Sequence, residues 1–152
     1  MSQEKKRPIM EAIGIAFLTW KRYCQKEIFP YGITLKQFEV LRQLERKVTL
    51  YPSEIADMLF CDRPTATVVI KNMEKEDWVK RELDPDDSRR IKVTLKSAGQ
   101  AKLKGIAWNH PDSKEKRFQP SSCFTRQEKE QLTKLLLKLN QHLKHIKEDT
   151  YG

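Results

Sequence analysis

The change of hydrophobic period at Trp78 constrains the fold of this chain more than any other feature. Upstream, from Pro8 to Lys75, apolar residues recur at steps of three and four, the mark of helices that bury one face. From Trp78 to Leu83, and again from Ile91 to Leu95, they alternate as in strands with one covered side. The acidic, turn-forming run Asp84-Pro85-Asp86-Asp87-Ser88 separates the two stretches, so they read as a β-hairpin with a long, charged tip.

The helical part divides at its turn residues. Pro8 to Ile28 reads as one helix: proline suits a first turn, and Ile9, Ile13, Phe17, Trp20 and Cys24 share a face. Phe29-Pro30-Tyr31-Gly32 breaks it. Thr34 then caps a second helix, with Gln37 completing a capping box and Leu35, Phe38, Leu41 and Leu44 facing inward. Val48-Thr49-Leu50 is a short β-prone bridge, and Pro52 opens a third helix carrying Ile55, Ala56 and Leu59. A turn at Phe60-Cys61-Asp62 leads to a fourth, from about Arg63 to Lys75, for which Asp62 is the cap; Pro64 leaves its first residue open.

Beyond the hairpin, Ser97 to about Asn109 is helical again. His110 to Cys123 is polar, contains Pro111 and Pro120, and reads as a loop. Thr125-x-x-Glu128 is a second capping box, starting a last helix with Leu132, Leu135, Leu136, Leu139 and Leu143. The expected fold is mainly α with a small β-hairpin wing. A winged helix-turn-helix domain at 33–96 is flanked by an N-terminal helix at 1–32 and C-terminal helices at 97–152, interrupted by the irregular 110–123 segment. The flanking helices are expected to dimerise, because a chain with 38% hydrophobic and 34% charged residues has thin apolar material for a self-sufficient monomer.

Charge and cysteine usage narrow the functional classes. A net charge of +9 favours a polyanionic partner, nucleic acid or an acidic membrane surface, without choosing between them. The longest apolar stretch, Ala12 to Leu18, is seven residues and falls far short of the roughly 20 that span a bilayer. Three cysteines, Cys24, Cys61 and Cys123, show no CxxC spacing, which points to a reducing, cytoplasmic setting and away from a zinc ribbon. His142 and His145 are too sparse for a metal set, and no phosphate-binding glycine loop, nucleophile elbow or HExxH is present. Neither an enzyme nor a cofactor is expected.

The fourth helix carries the functional signal. Ala66, Val69, Ile70 and Met73 fall on one face; the other shows Pro64, Val68, Lys71 and Lys75, flanked by Thr65, Thr67 and Asn72. Short hydroxyl, amide, ammonium and methyl groups suit a DNA major groove, and no acid interrupts Arg63 to Asn72. An ordinary solvated face is the alternative. Basic and acidic side chains are nearly balanced between residues 62 and 96, so a contact surface must segregate them in space.

Here the chain resembles the MarR family of winged helix-turn-helix regulators. The likeness rests on Ser53-Glu54-Ile55-Ala56-Asp57-Met58-Leu59, Arg63-Pro64-Thr65, Met73-Glu74-Lys75 and Val79-Lys80-Arg81. The wing is the sharper match: Asp87, Arg89, Val93 and Leu95 meet the family pattern D-x-R-x-x-x-V-x-L-T. The resemblance implies a homodimer on a pseudo-palindromic, double-stranded operator. Arg63, Thr65, Thr67, Val68, Lys71 and Asn72 would meet the major groove, and Arg89 with Arg90 the minor groove, where the potential is negative. Asp87 would orient Arg89; simple surface ion pairing with Asp84, Asp86 and Asp87 is the alternative for the wing arginines.

The chain also departs from the family. Glycine is usual in the helix-turn-helix turn and before the first wing strand, where Phe60 and Asp77 stand; the last position of the wing pattern is Lys96, which moves the cap to Ser97. Trp20, Tyr23, Tyr31, Phe38 and Trp108 form a candidate pocket for a small aromatic or amphipathic effector, with core packing as the alternative. Oxidation at Cys24 or Cys61 is a second route to release, with buried structural thiols the favoured reading because nothing strongly basic adjoins Cys24 in sequence; Cys61 borders the recognition helix and would matter if exposed. The rival to DNA binding is a winged helix that has become a protein-interaction module.

Overall fold

In a computed structural model of the chain, residues 7–106 and 120–151 are described. Two compact units divide it, Met1–His110 and Pro111–Gly152. The first contains α1 (Ile9–Ile28), a 3-10 turn (Phe29–Tyr31), α2 (Leu35–Lys47), β1 (Thr49–Leu50), α3 (Pro52–Met58), α4 (Arg63–Lys75), β2 (Val79–Leu83), β3 (Ile91–Leu95) and α5 (Ser97–Lys104). The second holds a 3-10 turn (Pro120–Cys123) and α6 (Arg126–Tyr151).

Local chemistry sets the helix starts. At α2 the capping box closes in both directions: the Gln37 N–H donates to Thr34 Oγ1 at 3.2 Å, and the Thr34 N–H to Gln37 Oε1 at 3.0 Å. Thr125 and Glu128 repeat it before α6, at 2.8 and 3.2 Å. At α4, Asp62 Oδ1 accepts from the Thr65 N–H at 2.7 Å, with Pro64 in the first turn where no N–H is needed. Gly32, at φ 67°, closes the 3-10 turn that ends α1.

Helices α3 and α4 both end in Schellman motifs. After α3, the Cys61 N–H reaches the Ala56 carbonyl and the Phe60 N–H that of Asp57; after α4, Trp78 reaches Met73 and Asp77 reaches Glu74. The motif needs a left-handed residue at its centre. Phe60 (φ 51°) and Asp77 (φ 61°) take that conformation, at the two places where the family resemblance called for glycine.

The sheet exceeds the expected hairpin. Its order is β1-β3-β2, with Thr49 opposite Thr94 and Leu50 opposite Val93, so the short bridge is a third antiparallel strand. Val79 faces Leu95, Arg81 faces Val93 and Leu83 faces Ile91 in the hairpin. Beneath the sheet lies the core: Val40, Leu41 and Leu44 from α2, Ile55 from α3, Ile70 and Met73 from α4, and Val79 and Val93 from the strands are all fully buried.

Two expectations about α5 need correction. Ser97 is its first helical residue and does not cap it; the cap position belongs to Lys96, which makes no side-chain cap bond and is engaged by Asp77. The described helix closes at Lys104, short of Asn109. There the chain turns at Gly105, the Ile106 N–H bonds to the Leu103 carbonyl, and the Ile106 side chain is drawn into the core. The loop expected over His110 to Cys123 lies outside the described residues except for the 3-10 turn at Pro120–Cys123.

The apolar face of α1 is covered only near its end. Cys24 and Ile28 are buried, whereas Ile9 and Phe17 are exposed. In the second unit, Leu132, Leu135, Leu136 and Leu143 of α6 are exposed too.

Candidate nucleic-acid interface

Helix α4 presents two different faces. Ala66, Ile70 and Met73 are buried, Val69 is half-buried, and Arg63, Pro64, Val68, Lys71, Asn72 and Lys75 are exposed. Val68 is 57% exposed, an apolar side chain offered to solvent among polar neighbours. Thr65 and Thr67 are half-buried at the flanks. The Thr67 hydroxyl donates to the Arg63 carbonyl at 2.9 Å, which spends its proton within the helix and leaves its lone pairs and methyl outward.

The surrounding acids are nearly all occupied. Glu74 holds Arg81 on β2 through both carboxylate oxygens: Nη2 donates to Oε1 at 2.9 Å, Nε to Oε2 at 3.1 Å, and the Arg81 N–H to Oε2 at 3.2 Å. These bonds hold the Glu74 carboxyl below its usual range, and they fasten the recognition helix to the wing. Glu82 lies between Lys80 and Lys92, at 3.0 and 3.4 Å. Asp77 pairs with Lys96, and Asp62 is consumed by the cap. Charge segregation is achieved largely by pairing, with Glu74 turned to Arg81 while still near Lys71.

The wing tip is organised from within. Asp84 Oδ1 accepts from the Asp86 N–H at 2.9 Å, the Asp84 N–H reaches the Arg90 carbonyl at 2.9 Å, and the Arg90 N–H that of Asp87 at 2.9 Å. Asp87 Oδ1 accepts from the Arg89 N–H at 3.1 Å and from Arg89 Nε at 3.4 Å. The Arg89 side chain is 90% exposed and stands outward at the tip. Arg90 takes a different course. Its guanidinium lies 3.6 Å from the centroid of the Tyr51 ring, and the Tyr51 hydroxyl donates to Asp84 Oδ2 at 2.5 Å.

The aromatic residues singled out for an effector pocket are spread over several elements. Trp20 and Tyr23 stack on α1 with centroids 5.4 Å apart, and Phe38 is buried in the core beneath Arg42. Tyr31 is half-buried in the turn that follows α1, its carbonyl accepting from Lys102 Nζ, and Trp108 lies outside the described residues. Cys24 is buried, and burial pushes its thiol up to about 11, so it is no thiolate at neutral pH. Cys61 is half-buried in the turn before α4. Among the described residues no three His, Cys, Asp or Glu side chains gather as a metal set, and no helix is long and apolar enough to cross a membrane.

Sequence reading gave Tyr51 no role and did not pair Glu74 with Arg81 or Tyr51 with Asp84. Glu74 and Arg81 are seven residues apart, and Tyr51 and Asp84 thirty-three, so only the fold brings them together.

A helix-turn-helix whose second helix offers an acid-free face beside a braced, arginine-tipped wing defines a winged helix-turn-helix DNA-binding regulator. Residues 33–91 match the MarR family model. Over this segment the chain is similar to the MarR family of transcriptional regulators. It is 26% identical over 125 residues to the HTH-type transcriptional regulator PecS of Dickeya dadantii, covering 80% of this chain and 74% of that protein. The match to the HTH-type transcriptional regulator SarZ of Staphylococcus aureus is 30% over 71 residues, 47% of this chain and 48% of that one. A mutant MarR from E. coli, crystallised with operator DNA, superimposes with a TM-score of 0.74 at 25% identity, over 87% of this chain and 93% of that one.

Proposed function

We propose that the protein is a cytoplasmic repressor that occupies a pseudo-palindromic operator as a homodimer and leaves it when a small aromatic or amphipathic effector binds. The observation that carries this reading is the pairing of an exposed, acid-free α4 face with an outward Arg89 on the adjoining wing. In it, Arg63, Thr65, Thr67, Val68, Lys71 and Asn72 meet base edges and phosphates of the major groove. Val68 suits a thymine methyl, and Arg89 enters the neighbouring minor groove. The exposed apolar residues Ile9 and Phe17 of α1 and Leu135 and Leu136 of α6 support dimerisation through the 1–32 and 97–152 segments. The buried, protonated Cys24 favours ligand release over oxidation at that thiol.

The test separates wing from recognition helix. A duplex selected by the protein from genomic fragments and a scrambled duplex are titrated at several salt concentrations. Arg89→Ala is expected to weaken binding to both duplexes and to flatten the salt dependence by about one phosphate-equivalent. Thr67→Ala is expected to cost about 1 kcal/mol on the selected duplex and little on the scrambled one. If Arg89→Ala changes neither affinity, the wing is no DNA reader, and the protein-interaction reading takes its place.

A further inference from the structure

Tyr51 belongs to neither the recognition face nor the wing, yet it touches both ends of the wing turn. It stands between β1 and α3, where its N–H donates to Glu54 Oε2 at 2.9 Å and fixes the entry to α3. Its side chain reaches a segment more than thirty residues later in the chain. There the hydroxyl donates to Asp84 at the end of β2, and the ring face carries the Arg90 guanidinium just before β3. Asp84 is only 7% exposed, and its other oxygen holds the Asp86 N–H. One side chain therefore grips the ascending and descending limbs of the wing and ties both to the helix-turn-helix.

Arg89 has no comparable anchor. Among the described residues, Asp87, itself part of the tip, is the one side chain that holds the highly exposed Arg89, which otherwise depends on the backbone on either side of it. That backbone is the segment Tyr51 clamps. We infer that Tyr51 is a positioning residue for DNA binding: by bridging Asp84 and Arg90 it sets where the wing holds Arg89 relative to α4, and Arg90 serves this brace instead of reading the minor groove. A hydroxyl–carboxylate bond to a buried oxygen and a cation–π stack are both strongest at fixed geometry, so together they restrain the angle of a hairpin that otherwise pivots on its two strands. The Asp84 carboxyl is held below its usual range first by the Tyr51 hydroxyl, and the Tyr51 phenol is raised first by Asp84. Both shifts keep the brace in its bonded form around neutral pH.

The inference rests on the wing being a DNA reader, and the experiment separates the two. Full-length wild type, Tyr51→Phe, Arg89→Ala and the double variant are titrated against a duplex that wild type selects from genomic fragments, with melting followed in parallel. Tyr51→Phe keeps the ring and loses the bond to Asp84; it is expected to weaken binding about fivefold or more, with the salt slope unchanged because no charge is lost. Arg89→Ala is expected to cost clearly less in the Tyr51→Phe background than in wild type, since a displaced arginine has less to lose. A merely structural tyrosine would lower the melting temperature and leave the cost of Arg89→Ala the same in both backgrounds; that outcome, or an unchanged affinity for Tyr51→Phe, overturns the inference. If Arg89→Ala has no effect even in wild type, the wing reading itself falls and the inference with it.

Discussion

Among the described residues, three that carry a side chain sit where a β-carbon is unwelcome. Phe60 and Asp77 are the left-handed centres of Schellman motifs, and Val48 has φ 68° and ψ −43°, near the strained γ-turn region. Their side chains do not repay the cost evenly. Asp tolerates the conformation and pairs with Lys96, whereas Phe60 is 92% exposed and Val48 is β-branched and exposed. Phe60→Gly is therefore expected to stabilise the fold by about 0.5–1 kcal/mol, a rise of about 2–4 °C in melting temperature. Val48→Gly should gain at least as much and Asp77→Gly less, an order that differential scanning calorimetry can rank. A loss of stability in Phe60→Gly would mean that the exposed ring has a contact worth more than the strain.

At the scale of elements, the wing is built into the domain. Strand β1 extends its sheet, Glu74 and Arg81 tie α4 to β2, and α5 returns beneath it so that Gly99 packs on Trp78. A β-carbon at Gly99 would run into the Trp78 carbonyl oxygen, a backbone atom that already accepts from the Lys96 N–H at 2.9 Å and cannot swing aside. Gly99→Ala is thus expected to cost about 1–3 kcal/mol, read by urea denaturation, and to loosen α5 from the sheet. Unchanged stability would show that α5 can slide without disturbing the hairpin. The contact also explains why α5 opens at Ser97 without a side-chain cap: the start is held by packing and by the Lys96–Asp77 pair.

For the molecule as a whole, the thin apolar content of the sequence becomes concrete. The first unit has a closed core, yet α1 leaves Ile9 and Phe17 uncovered, and α6 carries a row of exposed leucines. Surfaces of this kind are covered in a stable, soluble chain by a second copy or another partner. The expectation is a dimer at micromolar concentration in sedimentation equilibrium. Replacing Leu136 and Leu139 by Asp is expected to dissociate it and to reduce operator affinity, because two recognition helices no longer bind as one unit. A monomeric wild type that binds the selected duplex tightly would refute the dimeric operator reading.

What was legible in the sequence is what local chemistry decides. The Thr34–Gln37 and Thr125–Glu128 boxes, the Asp62 cap, the inward face of α4 and the alternation of β2 and β3 all depend on residues within a turn or strand of one another. Even the family's two missing glycines marked where the backbone turns left-handed, since a Schellman motif is a local device. Tertiary structure alone decided which long-range neighbours meet. No spacing in the sequence announces that Thr49–Leu50 joins the wing sheet, that Gly99 must clear a carbonyl, or that Arg90 stacks on Tyr51 while Arg89 stands free of it. Arg89 and Arg90 are adjacent and chemically identical. Because successive residues at the wing turn point to different sides, one faces the body of the domain and the other faces solvent, and only the folded hairpin assigns which.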